Sequence, residues 1–469
     1  MLVVAKDELA SSGSSGLTTA VADWVVGVRA RDLPERALRL ATDAITDCIG
    51  VALAGTRQEL APKLLSVLET RPLVRGAQLF GSDRESDPAT AALYNGTVAH
   101  ALDYDDINHP AYSHPSAHLV PTLFALAAGR AVSGMDVITA YVVGFELEGK
   151  LGRALNVGIG IPHLKGHYAR GWHTTGTFGS LASALGGAHL LRLDAEGVRI
   201  ALGVAGTSAS GLRASFGTMS KPLNAGLAAR NGVLATLLAR ARFTAAEDIL
   251  DDRFGFLAVM SDGAWNEGPL RHLGLPWEIT TDYGLAIKAY PACGATHPAI
   301  EAALELHTEI GGDAIDSITV GVNEVMPSVL VYPNPKTPLE GKFSMEFCVA
   351  AALSRGIVNI ATFRDDVIAD PAVRGLMARM EVRTDERVRF NPEHGAAVAV
   401  TCRSGRKLER LVNVAKGKPE RWLTSSELRD KFLDCIQGVL THKRAHELFT
   451  ALQALPNLAT MEPILEKLR

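Results

Sequence analysis

The stretch from Asn95 to Phe124 concentrates groups that can transfer protons. Its ionisable side chains are His100, Asp103, Asp105, Asp106, His109, His114 and His118. Pro110 and Pro115 push the residues before them out of the α region, so this part of the stretch should be a loop between two helices. A loop stiffened by prolines can hold an aspartate and a histidine in a fixed orientation, which general acid–base catalysis requires.

Three interpretations of this stretch compete. Its Asp and Ser side chains could simply cap helix ends, which is the commonest role for any one of them. His114 and His118, four positions apart near three carboxylates, could instead bind a metal, but the stretch has neither an HExxH motif nor paired cysteines. We favour an acid–base cluster over a metal site, because other parts of the chain supply suitable partners.

Two of these partners lie in the first 270 residues. His173 in GWHTTGTFG precedes a predicted helix start, whose free backbone N–H groups could bind an anion. A capped helix beside a buried histidine is the alternative. Lys221 in TMSKPLNAG lies among small and apolar residues, where a lysine is either at the surface or, if partly buried, a carboxylate ligand or a base.

Further along, the segment IKAYPACGATHP contains Lys288, Tyr290, Cys293 and His297. Its proline and the helix predicted after it again indicate a stiff loop. Cys293 could be a nucleophile or a small buried thiol, and the buried thiol is favoured because no histidine partner is evident. Lys342 in EGKFSMEF precedes a helix, where a basic group opposes the helix dipole, so it should be exposed or paired with an acid.

Composition limits the class of protein. A chain of 469 residues exceeds one compact core and predicts two domains. The net charge of −4 argues against nucleic acid or an anionic membrane surface as a partner. Five scattered cysteines, with no CxxC, indicate free thiols in a reducing compartment. The N-terminal MLVVAKDELASSGSSG lacks the features of a signal peptide, and no apolar run approaches the roughly 20 residues of a membrane helix, so we expect a cytoplasmic protein.

The pattern of apolar residues predicts a mainly α protein. Residues 1–267 have helical periodicity almost throughout, with one extended piece at GAQLFGS. Residues 268–405 combine helices with three predicted strands, DSITVGVNE, MEVRTDERVRF and AAVAVTCRSG, in an α+β unit with strands of antiparallel type. Residues 406–469 return to helix. We therefore predict a large all-helical domain that contains both termini, with a smaller α+β lid domain inserted over 268–405.

The glycine-rich segments do not indicate a nucleotide-binding site. The chain has 44 glycines, and most of this excess can be assigned to helical segments rich in Ala and Ser, where small residues let helices pack closely. The sequence contains no GxxxxGK[ST], and no GxGxxG follows a strand, so neither a P-loop nor a dinucleotide-binding fold is indicated.

Six motifs, in this order, resemble the MmgE/PrpD family. They are HALDYDD, SHPS, GWHTTGTFG, SKPLNAGLAARNG, KAYPACGATHPAI and GKFSMEFCVAAAL. The family includes 2-methylcitrate dehydratase, cis-aconitate decarboxylase and iminodisuccinate epimerase. The resemblance extends from about residue 17 to 465. It implies a helical domain with a smaller lid, a cofactor-free active site between them, and a homodimer.

The resemblance also implies roles for individual residues. The family pattern matches a set of pocket-lining positions here, namely Asp103, His114, His173, Lys221 and Lys288. Two positions depart from the decarboxylase branch: Cys293 replaces a catalytic histidine, and Ile107 replaces a threonine. Decarboxylation is therefore less favoured than dehydration or epimerisation.

Proton removal next to a carboxylate needs a base and cations that neutralise the enolate-like state. His114 or His173 is the candidate base and Asp103 its orienting partner. Lys221 and Lys288 are the candidate carboxylate ligands, and Tyr290, Cys293 and His297 could add contacts to the substrate. We expect an enzyme that acts on a small di- or tricarboxylate, most simply a 2-methylcitrate-type dehydratase. An epimerase acting on an iminodisuccinate-like substrate is the main alternative, and a non-catalytic carboxylate-binding protein is the alternative from another class.

Overall fold

The computed structural model describes residues 16–68, 76–155, 166–261, 263–389, 391 and 395–469. The fold is mainly α, with two small sheets, as predicted. All but the last residue of the predicted N-terminal tail lies outside the described residues. Among the described helices, none has both the length and the apolar character needed to cross a membrane.

Up to residue 271, the regular elements of the described residues are helices apart from one two-stranded ribbon. The helices are α1 Leu17–Gly27, α2 Glu35–Gly55, α3 Leu60–Leu65, α4 Pro88–Ala99, α5 Pro115–Ala127, α6 Gly134–Ala154, α7 Gly166–Ala169, α8 Thr174–Leu190, α9 Ala195–Ser208, α10 Ser220–Arg240, α11 Phe256–Ser261 and α12 Gly268–Arg271. The ribbon pairs β1 Ala77–Gln78 with β2 Glu85–Ser86 in antiparallel fashion, at the predicted extended piece GAQLFGS.

The rest of the chain contains a four-stranded sheet and shorter helices. The helices are α13 His297–Ile310, α14 Pro338–Gly341, α15 Met345–Arg355, α16 Asp365–Ile368, α17 Pro371–Met377, α18 Ser425–Ile436, α19 His442–Gln453 and α20 Glu462–Leu465. The strands are β3 Ile315–Val322, β4 Met380–Thr384, β5 Ala396–Cys402 and β6 Lys407–Val412. Short 3-10 turns occur at Ala30–Asp32, Arg213–Ser215, Glu278–Thr280, Gly294–Thr296, Met326–Ser328, Ile360–Thr362, Leu455–Asn457 and Glu466–Leu468.

The sheet differs from the prediction in two respects. Its order is β4-β3-β5-β6, and β4 runs parallel to β3 although all strands were expected to be antiparallel. The helices α15 to α17 separate β3 from β4 and supply the crossover that a parallel pair needs. In addition, β6 was not predicted, and it forms an antiparallel pair with β5. A boundary at residue 405 therefore falls between two paired strands.

Buried apolar residues form three groups. One contains side chains between residues 292 and 412 and surrounds the sheet with α13 and α15. The other two contain the helices before residue 274, and one of these also includes the C-terminal segment after residue 431. In that group α18 and α19 pack against α2, which returns the end of the chain to the first helices.

The helices around the site pack closely because glycines line their contacts. A Cβ on Gly226 of α10 would lie 2.2 Å from Thr97 Oγ1 of α4, and one on Gly232 would lie 2.2 Å from Ser183 Cβ of α8. Only glycine allows such an approach between helix backbones. The predicted packing role of small residues is thus confirmed in α10. Close packing of α10 against α4 and α8 brings the first turn of α10 towards the C-terminus of α4 and the N-terminus of α8.

Candidate functional site

One cavity brings together the five residues to which the motifs assigned catalytic roles. It is lined by Asp103, His114, His173, Lys221 and Lys288. An apolar wall completes it, formed by Ile107, Phe216, Val325, Val329 and Phe343. The loop after α4 and the starts of α5, α8 and α10 supply four of the five residues with assigned roles, and the segments around 293, 325 and 343 supply further lining residues.

The loop after α4 is fixed to the loop that carries Lys288. Ile107 and Ala286 form a two-way backbone bridge, with N···O distances of 2.8 and 2.9 Å. The amide of Asn108 donates to the carbonyl of Gly284 at 2.9 Å. These contacts place two segments side by side that are about 180 positions apart in sequence. As a result, the Nζ of Lys288 donates to the backbone carbonyl of Asp103.

Asp103 is the centre of the charged cluster. Its backbone is left-handed, with φ of 52°, a conformation that Asp tolerates better than most residues. Its Oδ1 accepts from Lys221 Nζ at 2.7 Å and from Lys288 Nζ at 3.0 Å. Burial alone would raise the pKa of this carboxyl, but the two ammonium groups hold it well below its usual range. Its Oδ2 is buried and has no hydrogen-bond partner among the described residues, so the two ammonium groups share a single carboxylate oxygen.

His114 presents an unprotonated nitrogen. The residue occupies the N-cap position of α5, and Pro115 follows it at the first helical position. Its Nδ1–H donates to the backbone carbonyl of Asp106 at 2.8 Å, which leaves the lone pair on Nε2. This Nε2 lies 3.9 Å from Asp103 Oδ1. Burial, together with the charge of Lys288, holds the pKa of His114 well below its usual value, so the ring is neutral at pH 7.

His173 presents the opposite tautomer. It caps the N-terminus of α8, and its backbone N–H donates to the carbonyl of Gly211 at 2.9 Å. The Asn224 side chain of α10 donates to its Nδ1 at 3.0 Å, so the proton is on Nε2. Burial and the charge of Lys221 hold its pKa well below the usual value. One neutral histidine thus offers a lone pair and the other an N–H.

His100 and Asp105 complete the cluster, although sequence analysis assigned them no role. His100 Nδ1 donates to Asp105 at 2.9 Å, and its Nε2 accepts from Lys221 Nζ at 2.8 Å. The His100 ring lies 4.4 Å, centroid to centroid, from that of His114. Their positions in HALDYDD were a signal, since His100 ends α4 and Asp105 lies five residues later. Asn224 had no such signal beyond its place one turn after Lys221.

Asp106 is held differently from Asp103. Its Oδ1 accepts from the Ser116 backbone N–H at 3.0 Å, and its Oδ2 lies 2.7 Å from Ser116 Oγ and 3.2 Å from the Tyr141 hydroxyl. Burial and the charge of Asp105 raise its pKa to about 8. Asp106 is therefore protonated at pH 7 and braces the start of α5.

Four of these side chains also have the spacing of metal ligands. Donor atoms of His100, Asp103, Asp105 and His114 lie within 4.8 Å of one another. The ammonium groups of Lys221 and Lys288 already contact the Asp103 carboxylate, and a divalent cation there would be repelled by both. This arrangement disfavours a metal, and the expectation of a metal-free site stays a prediction.

The remaining predicted residues divide into two groups. Cys293 and Ile107 line the cavity, and burial raises the pKa of the Cys293 thiol. Tyr290 and His297 are not among the lining residues and pack against each other at 5.3 Å beside the sheet. His297 Nε2 donates to the carbonyl of Ala292 at 3.2 Å, and burial lowers its pKa to about 3.

Lys342 corrects a further expectation. It was predicted to be exposed or paired with an acid, but only 3% of it is exposed. Its Nζ donates to the backbone carbonyls of Leu102 and Pro291 at 2.7 and 2.9 Å and lies over the Phe363 ring. Burial lowers its pKa to about 7. Backbone carbonyls thus accept the hydrogen bonds for which the sequence suggested a carboxylate.

Comparison with known proteins agrees with the motifs. The MmgE/PrpD N-terminal domain model matches residues 19–267, and the C-terminal domain model matches residues 290–455. The chain is 26% identical to a cis-aconitate decarboxylase of Aspergillus terreus over 99% of this chain and 98% of the relative. It is 26% identical to the cis-aconitate decarboxylase of Mus musculus, over 94% and 91%. A 2-methylcitrate dehydratase of Cupriavidus necator is 24% identical over 72% of each chain. Since the two family models together cover most of the sequence, the chain belongs to the MmgE/PrpD family.

Proposed function

We propose that this enzyme removes a proton from a carbon next to a carboxylate of a small di- or tricarboxylate, most simply in a dehydration of the 2-methylcitrate type. One observation carries the proposal: two neutral histidines of opposite tautomer face a cavity in which two lysines share one carboxylate. Such a site offers a base, a hydrogen-bond donor and two ammonium groups that can bind a carboxylate. Relatives named 2-methylcitrate dehydratase and cis-aconitate decarboxylase support the substrate class.

The base in this mechanism is His114. Its free Nε2 takes the proton from the substrate carbon, and the C–H electron pair moves towards the adjacent carboxylate. The nearby Asp103 stabilises the imidazolium that forms, because its Oδ1 lies 3.9 Å from Nε2. Lys221 and Lys288 neutralise the charge that spreads over the carboxylate, and the N–H of His173 donates to it.

Dehydration then requires loss of hydroxide from the neighbouring carbon. The C–O bond breaks as the C=C bond forms, and the hydroxide takes a proton to leave as water. The His114 imidazolium and the two ammonium groups are the donors that the cavity offers. The apolar lining residues suit a substrate with an alkyl substituent, since an anionic group placed against them would be buried without a partner.

Decarboxylation of cis-aconitate is the second candidate. The high coverage of the relatives with that name favours it. The sequence departures weigh against it, because Cys293 and Ile107 both line the cavity and neither supplies a charged group.

The deciding experiment incubates the purified protein in D₂O, separately with 2-methylcitrate, citrate, cis-aconitate and iminodisuccinate. Absorbance from a new C=C bond supports dehydration. Labelled CO₂ from cis-aconitate moves the assignment to decarboxylation. Deuterium at the substrate carbon with inverted configuration and no double bond indicates epimerisation. If the protein binds polycarboxylates but causes no deuterium exchange, bond cleavage or loss of CO₂, the assignment changes to a non-catalytic carboxylate-binding protein. The His114→Ala variant is the matched control and should bind without turnover.

A further inference from the structure

Three consecutive backbone carbonyls around Asp103 are each held by a different lysine. The donor–acceptor pairs are Lys342 Nζ to Leu102 O at 2.7 Å, Lys288 Nζ to Asp103 O at 2.7 Å, and Lys431 Nζ to Tyr104 O at 2.9 Å. The three lysines come from distant parts of the chain, and Lys431 belongs to the C-terminal helix α18. Most buried carbonyls are satisfied by secondary structure, so this use of lysine needs a reason.

Two of these lysines bind a second carbonyl, on the loop that carries Lys288. Lys342 Nζ donates to Pro291 O at 2.9 Å, and Lys431 Nζ donates to Lys288 O at 2.8 Å. Each ammonium group therefore links residues 102–104 to residues 288–291. Together they fix the distance between the backbones from which Asp103 and Lys288 extend.

Burying the side chains of Lys342 and Lys431 costs free energy, which their contacts must offset. Only 3% of Lys342 and 8% of Lys431 is exposed, and a buried ammonium group loses hydration that carbonyls replace only in part. Lys431 has a carboxylate partner, Asp47, at 2.6 Å. The segment that they hold includes Asp103 in its left-handed conformation, which persists only when the surroundings determine it.

We infer that Lys342 and Lys431 are positioning residues, which fix the backbone at Asp103 and thereby hold its carboxylate between Lys221 and Lys288. Neither of the two is among the residues that line the cavity, so they act through Asp103 rather than on the substrate. The expected effect of these lysines on catalysis rests on the proposed function, whereas their expected effect on the backbone of residues 102–104 does not.

The test compares Lys342→Met and Lys431→Met with Lys150→Met. Lys150 is a matched control because 4% of it is exposed and its Nζ donates to a backbone carbonyl, that of Pro276 at 3.1 Å, beside Glu146. Loss of Lys431 leaves Asp47 buried without its partner, so the double variant Asp47→Asn/Lys431→Met is the second form of that test.

The first readout is hydrogen exchange of the peptide covering residues 100–109, measured without substrate. We expect its exchange rate to rise at least about tenfold in the Lys342 and Lys431 variants, with peptides of α1 unchanged, and not to rise in Lys150→Met. The second readout is turnover of the polycarboxylate identified with the wild type. We expect kcat to fall about 10- to 100-fold with a smaller change in KM, because a displaced catalytic group costs rate more than binding.

Exchange at 100–109 that matches the Lys150→Met control would overturn the inference. So would faster exchange with wild-type kcat, because the lysines would then hold the loop without positioning the site. If the wild type turns over none of the substrates, the proposed function fails. The exchange readout still decides whether the two lysines fix Asp103.

Discussion

Asp103→Asn should cost far more stability than Asp106→Asn, although both residues are buried in the same loop. Asp103 Oδ1 lies 2.7 Å from Lys221 Nζ and 3.0 Å from Lys288 Nζ. At an effective dielectric constant of about 20, each contact is worth about 6 kcal/mol of Coulomb energy, part of which desolvation offsets. Because the variant leaves two ammonium groups buried without the carboxylate, we expect it to lose about 3–5 kcal/mol of unfolding free energy.

Asp106 responds differently because it is already neutral. Burial raises its pKa to about 8, so at pH 7 the folded protein holds a proton that the unfolded chain would release. An asparagine replaces this neutral carboxyl with a group of the same shape. We expect Asp106→Asn to leave the unfolding free energy at pH 7 unchanged or slightly higher.

Urea denaturation of the two variants and the wild type, followed by circular dichroism, measures both effects. The pKa of Asp103 is well below its usual value, so its stabilisation is fully present above the unfolded pKa of about 3.9 and disappears as pH falls through the folded pKa. The difference between wild type and Asp103→Asn should therefore be constant from pH 5 to 8 and shrink below about pH 4. Equal stability of the two variants at pH 7 would refute the cluster as an organising feature.

Four further predictions concern catalysis. His114→Ala and His173→Ala should each lower kcat about 10²–10⁴-fold in steady-state assays, whereas Lys221→Ala or Lys288→Ala should mainly raise KM. In Asn224→Asp, the new carboxylate should accept a hydrogen bond from His173 Nδ1–H and so reverse the tautomer of the ring, which ¹⁵N NMR of the imidazole would detect. We expect kcat to fall, because Nε2 then lacks the proton that it donates. Because burial lowers the pKa of both cavity histidines well below 6.5, protonation of these rings should not limit kcat/KM above pH 6.5. An acid limb centred above pH 6.5 that persists in both Asp106→Asn and Lys342→Met, whose side chains titrate near pH 8 and 7 in the wild type, would contradict the neutral-histidine mechanism. Exhaustive chelation should leave full activity, and stoichiometric zinc or iron lost together with activity would show that His100, Asp103, Asp105 and His114 bind a metal.

The sequence predicted those features that depend on local chemistry. Prolines placed the loop before His114, and the helix start after His173 followed from its small and hydroxyl residues. Periodicity predicted α13, α15 and three of the four strands of the sheet. The division into a helical domain and an inserted lid stays a prediction, although the buried apolar groups separate at about the same residues.

The segment after Lys288 divides between two places. Tyr290 and His297 follow Lys288 within ten residues, so all three were expected at the substrate. Cys293 lines the cavity, whereas Tyr290 and His297 are not among its lining residues and contact each other, so their part in substrate binding stays a prediction. β6 was missed because the apolar residues of KLERLV, Leu408, Leu411 and Val412, stand at positions i, i+3 and i+4, which is the spacing of an amphipathic helix.

The lysines that hold Asp103 show why the rest could not be predicted. An aspartate beside lysine motifs suggests ion pairs, and two of them exist, at Lys221 and Lys288. Lys342 and Lys431 instead donate to carbonyls, which every residue carries, so no pattern of side chains marks the acceptors. The three acceptors are the successive carbonyls around the left-handed turn at Asp103, and their donors come from distant elements. The geometry of the candidate site is therefore set by tertiary contacts, and the sequence alone did not identify the residues that keep its side chains in place.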